Sequence, residues 1–124
     1  MIMRSLAVIA LPLLLLGCVS NTLTNLTATS QPKNPKNLYL IEYQWDSNEQ
    51  ALVPDSIKPY VLVGFDSYEM QKTPKMTNRW EVLIPVPPDK DSVIYRFKVD
   101  SEYLGFGERR KSSKSSPEYK LYIR

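Results

Sequence analysis

Apolar side chains recur at every second position in several stretches of this chain. Tyr39, Ile41, Tyr43 and Trp45 fall on one side of such a stretch, with Leu38, Leu40, Glu42 and Gln44 on the other. That alternation predicts an extended strand with one mostly apolar face. Trp80, Val82, Ile84 and Val86 alternate in the same way with Arg79, Glu81, Leu83 and Pro85, and the stretch closes at Pro87 and Pro88. The purest case is Val93, Tyr95, Phe97 and Val99 against Ile94, Arg96, Lys98 and Asp100, and Tyr119, Leu121 and Ile123 repeat it near the end. The run 57–65 is β-branched and aromatic, with Pro59 near its start, a position that suits an edge or a strand's beginning. Gly64 marks a bulge or a close approach, and Asp66 and Ser67 turn the chain into a short strand over 68–72. Asp46, Ser47 and Asn48 break the first strand, 72–78 reads as a loop, and the Ser, Lys and Arg-rich segment 107–116 reads as a second loop.

These elements predict an all-β domain: an antiparallel β-sandwich of six or seven strands over residues 38–124. No stretch carries the period of an amphipathic helix. Trp45, Trp80, Tyr95 and Phe97 are expected to point inward and supply the large buried area that so small a core needs, with Trp80 and Phe97 on neighbouring strands.

The first residues follow a different rule. In residues 1–17, Arg4 precedes an apolar run over 6–16 that is too short for a permanent bilayer span, which takes about 20 residues. This predicts a signal peptide. Leu15-Leu16-Gly17-Cys18 resembles the bacterial lipobox, although a smaller residue than Leu16 is usual at its place. The resemblance implies a diacylglycerol thioether on Cys18, cleavage before it and acylation (palmitate-type chains) of the new amino group. Several acyl chains hold a protein on a membrane durably where one is marginal. The lipoprotein retention rule uses an aspartate after the cysteine, and Val19 stands there, which implies the outer membrane in a Gram-negative envelope. Residues 18–37, rich in Asn, Thr, Ser, Pro and Lys, read as the lipidated cysteine and a tether whose centre is available as an edge strand.

Composition narrows the chemistry. The 124 residues include no histidine and one cysteine, removing the commonest general base and metal ligand, any internal disulfide and any thiolate metal site. With four glycines there is no phosphate-cradling loop. The net charge of +3 is too mild and too dispersed to imply nucleic acid. Asp46, Asp55, Asp66 and Asp100 all fall near expected turns, where Asx hydrogen bonds explain them. The sequence therefore predicts a non-enzymatic protein without cofactor or metal. Arg109, Arg110, Lys111 and Lys114, in the second loop, form its strongest charge run and are candidate partner contacts for anionic head groups or an acidic partner. Phe106, between two glycines, is either a contact residue on that loop or a side chain folded back onto the core.

The stretch 79–100, RWEVLIPVPPDKDSVIYRFKVD, is similar to the Trp, two-strand and Tyr-x-Phe-x-Val-Asp pattern of early-set immunoglobulin-like domains, including glycogen-binding modules. Those modules continue past the aspartate into glycine and aromatic contacts, whereas this chain reads Asp100-Ser101-Glu102-Tyr103, so no sugar-binding residue carries over. Gln44-Trp45-Asp46-Ser47 and the segment 113–119 look similar to small uncharacterised bacterial lipoproteins of this architecture. The resulting expectation is a lipid-anchored cell-envelope protein acting as a binding or assembly module toward an unknown envelope protein, with a surface glycan-binding module as the alternative.

Overall fold

A computed structural model describes residues 21–48 and 51–124. Residues 1–17, expected as a signal peptide, and Cys18 lie outside the described residues. The strands are β1 (Asn21–Asn25), β2 (Ser30–Gln31), β3 (Leu38–Ser47), β4 (Lys58–Val63), β5 (Asp66–Glu69), β6 (Gln71–Lys72), β7 (Arg79–Pro85), β8 (Ser92–Gly105), β9 (Glu108–Ser115) and β10 (Tyr119–Ile123), with one 3₁₀ turn at Pro54–Ser56. One sheet has the order β1-β3-β7-β6; the other runs β2-β10-β8-β4-β5, with β9 also beside β8. The pairings are antiparallel except β2 with β10, which is parallel. The expectation of a nearly all-β sandwich therefore holds. No helix among the described residues is long and apolar enough to cross a membrane.

The period-two pattern explains the core directly. Tyr39, Ile41, Tyr43 and Trp45 from one sheet meet Val61, Tyr95, Phe97, Val99, Leu121 and Ile123 from the other, all of them buried. Tyr43 stacks on Phe97 with ring centroids 5.0 Å apart, and Tyr95 meets Phe97 edge-on at 5.6 Å. Both are favourable aromatic geometries. Trp80, opposite Tyr43 in the register, packs against the core from its margin. It belongs to the sheet facing Phe97 rather than to a strand neighbouring it.

The structure corrects several local expectations. Segment 107–116 is no loop: β9 pairs residue by residue with β8 from Lys98↔Ser115 to Gly105↔Glu108. Apolar periodicity cannot reveal such a strand, because its side chains are almost all exposed and only the backbone ladder holds it. Consequently β8 does not stop near Asp100, which sits within the strand and not at a turn. Asp66 opens β5, and the turn before it is Gly64-Phe65. Gly64, with φ of 59°, supplies the left-handed residue of that hairpin turn rather than a bulge. The short strand expected over 68–72 divides at buried Met70: β5 pairs with β4 in one sheet and β6 with β7 in the other.

The polar stretch before Asn37 is built into the sandwich. β1 pairs with β3 from Asn21↔Ser47 to Asn25↔Tyr43. The chain then leaves that edge, and β2 joins β10 in the opposite sheet. Side chains take over the vacated edge of β3. Thr27 Oγ1 accepts from Glu42 N and donates to Glu42 O, both 3.0 Å. Gln31 donates to Leu40 O (2.8 Å) and accepts from Leu40 N (3.3 Å), and Asn34 does the same at Leu38 (2.7 and 3.3 Å). Polar composition here supplies surrogate strand partners.

Candidate functional site

β8 is the spine of the second sheet. Its first half pairs with β10 on one edge and its middle with β4 on the other, while its second half carries β9. Because side chains alternate, buried Val61, Phe97 and Val99 force Lys58, Tyr60, Lys98, Asp100 and Glu102 onto the outer face. The β9 register adds Arg109, Lys111 and Ser113 to that same face, opposite Leu104, Glu102 and Asp100. The Pro54–Ser56 turn closes one side. Ser56 Oγ accepts from Glu102 N at 2.8 Å and donates to Val53 O at 2.6 Å. The result is a trough of about 690 Å³ whose charged lining is Asp55, Lys58, Lys98, Asp100, Glu102, Arg109 and Lys111.

Charges of both signs share the trough. Arg109 Nη1 lies 3.3 Å from Glu102 Oε2, and Lys98 Nζ lies 3.8 Å from Asp100 Oδ1. Both pairs are substantially exposed, so each contributes little to stability. They fix where the charges stand. Among the described residues no group of three or more His, Cys, Asp or Glu stands close enough together to hold a metal ion.

The sequence-derived candidates divide between two surfaces. Arg109 and Lys111 enter the trough. Arg110 and Lys114, one residue out of phase, oppose Tyr103 and Val99 on the other face of the β8–β9 ribbon. The Arg110 side chain lies across Gly105, its Nε 3.4 Å from where a Cβ would stand. Phe106 does not fold back: it is fully exposed. With Gly107 it forms the two-residue turn between β8 and β9, φ being 41° and 84°, the positive pair that a type I′ turn needs. Asn-Gly is the usual occupant. A phenylalanine at the first position carries backbone strain of about 1–2 kcal/mol and exposes a whole aromatic ring. Lys58, Tyr60, Lys98, Asp100 and Glu102 were missed as a group. Their outward alternation is readable in the sequence, but β9, which completes the face, is not.

The trough and the Phe106 turn lie at a definite end of the sandwich. β3 and β8 run the same way in facing sheets: Tyr43 stacks on Phe97, Asn25 Nδ2 donates to Tyr95 Oη at 2.8 Å, and Leu104 N donates to Ala51 O, just past the end of β3, at 2.8 Å. Asn21, opposite Ser47, therefore enters at the end where β8 finishes. Asp46 is also there. Gln44 and Asn78 donate to its two carboxylate oxygens at 2.7 and 2.6 Å, holding its carboxyl below the usual carboxylate range. Phe65, on the β4–β5 turn, is equally exposed but lies at the opposite end, since Leu62 pairs with Arg96 near the start of β8.

No family model matches the chain, and no curated protein matches it. Among solved structures, that of murine CRIg is similar, with a TM-score of 0.46 and 17% identity over 85% of this chain and 98% of that one. The sandwich is established here by this chain's own strand pairing.

Proposed function

We propose that this protein is a bacterial lipoprotein, anchored in the cell envelope through Cys18, whose β-sandwich serves as a non-enzymatic binding or assembly module. The observation that carries the reading is the join between leader and fold. The lipobox-like Leu15-Leu16-Gly17-Cys18 ends three residues before Asn21, where β1 begins. A cleavage before Cys18 removes the apolar run and keeps every described strand. Val19 after the cysteine favours the outer membrane of a Gram-negative cell. The trough supports a binding role, since it presents a patterned surface of both charge signs.

Surface glycan binding is less well supported. Trp45 is buried and Trp80 packs on the core margin, leaving neither as a platform for a sugar ring.

Metabolic labelling with a palmitate analogue tests the anchor. The wild-type chain is expected to take the label and float with the membrane fraction, and Cys18→Ala to do neither. An unlabelled wild-type chain would overturn the anchoring claim.

A further inference from the structure

We infer that the β8–β9 hairpin tip is a second membrane contact: Phe106 enters the head-group region of the bilayer that holds the anchor, while Arg110 and Lys111 bind its anionic phospholipids. The inference rests on the proposed lipidation of Cys18.

Chain length supplies the first argument. Cys18 and Asn21 are three Cα steps apart, at most about 11 Å. Asn21 lies at the end of the sandwich where β8 finishes, so an acylated Cys18 holds that end against the lipid. The hairpin lies at this end, not the other. Chemistry supplies the second argument. The tip carries exposed Phe106 and Leu104, and the first residues of β9 beyond Glu108 are Arg109, Arg110 and Lys111. Arg109 is paired with Glu102, whereas no carboxylate among the described residues forms an ion pair with Arg110 or Lys111. An aromatic ring ahead of free cations suits the boundary between acyl chains and anionic head groups. The third argument is the cost of Phe106 to the fold. A residue that is strained in its turn and exposed to water is unfavourable on both counts, and such local conflict clusters at functional sites. Phe65 provides the contrast, being equally exposed but followed by Asp66 and remote from Asn21.

The test uses the acylated full-length mature protein in phosphatidylcholine vesicles with or without phosphatidylglycerol, the acyl chains being brominated. Phe106→Trp and Phe65→Trp each place an indole at one end, and the wild-type signal from Trp45 and Trp80 is subtracted. The expected result is a blue shift and strong quenching for Phe106→Trp in the anionic vesicles, and neither for Phe65→Trp. Adding Arg110→Glu and Lys111→Glu should remove the quenching. Without the anchor, in the Cys18→Ala chain, each of these two cations should contribute about fivefold to partitioning onto anionic vesicles. Phe106→Asn should abolish the residual partitioning without lowering the urea midpoint, separating contact from folding. Floating vesicles with Phe106→Trp no more quenched than Phe65→Trp would overturn the hairpin contact alone. Equal quenching in pure phosphatidylcholine would overturn its dependence on anionic lipid. Protein that is unlabelled and does not float would overturn the anchor and this inference together. A Phe106→Trp indole that stays unquenched in floating vesicles but shifts to the blue when an envelope protein is added would assign the hairpin to that protein instead.

Discussion

Tyr43 shows how a single side chain can serve the core imperfectly. Its ring is fully buried and stacked on Phe97, yet its hydroxyl has no hydrogen-bond partner among the described residues. Burial pushes its phenol above the usual tyrosine range. A buried unsatisfied hydroxyl costs about 1–3 kcal/mol, so Tyr43→Phe should leave the fold intact and raise stability by about 1 kcal/mol in urea unfolding at neutral pH. The alkaline side has a definite sign. The unfolded chain loses this proton near about pH 10 while the folded chain keeps it, so above that pH the unfolded state binds fewer protons and stability falls. Tyr43→Phe should unfold at a higher pH than wild type. An alkaline midpoint unchanged by the substitution would show that Tyr43 does not drive the transition.

At the scale of elements, the edge of β3 is the unusual feature. A partner strand covers it from Tyr43 to Ser47, and three polar side chains cover it at Leu38, Leu40 and Glu42. They touch alternate residues because only every second residue of a strand directs its N–H and C=O to a given edge. This arrangement lets the chain cross from one sheet to the other between β1 and β2 without leaving backbone groups unpaired. Thr27→Val tests it, since the shape is nearly kept while both hydrogen bonds to Glu42 are lost. The expected loss is about 1–3 kcal/mol in urea unfolding, with faster hydrogen exchange at the Glu42 amide. The other edge problem is solved by composition: β9, lined with Arg, Lys and Ser, is the kind of charged edge that discourages pairing with a second chain.

At the scale of the whole molecule, the described sandwich takes in residues 21–33, ahead of the domain expected over 38–124. A chain begun at Asn34 loses β1, β2, the Leu23 contact with the core and two of the three side-chain clamps on β3. It should fail to give a cooperative urea transition and should aggregate on size exclusion, whereas a chain begun at Asn21 should be monodisperse with a cooperative transition. Equal behaviour of the two would return residues 21–33 to the role of a spacer.

Local pattern was enough for β3, β7, the first half of β8 and β10, because each buries one face and burial imposes a two-residue apolar period. It also identified the inward aromatics Tyr95 and Phe97. It read β9 as a loop, because exposed side chains leave no apolar period even though the partner strand β8 is only a two-residue turn away. It offered the centre of the stretch before Asn37 as an edge strand, which β1 is, but not the crossing to β2 or the clamps on β3, whose hydrogen-bond partners lie far away in the chain. Glu42 is 15 residues from Thr27, and Asn25 is 70 from Tyr95. The trough has the same origin. Lys58, Asp100 and Lys111 come from separate segments, and only the register of β4 and β9 on β8 puts them on one face. Sequence determines which side chains seek water or each other; tertiary pairing decides which polar segments become strands, and so which charges end up side by side.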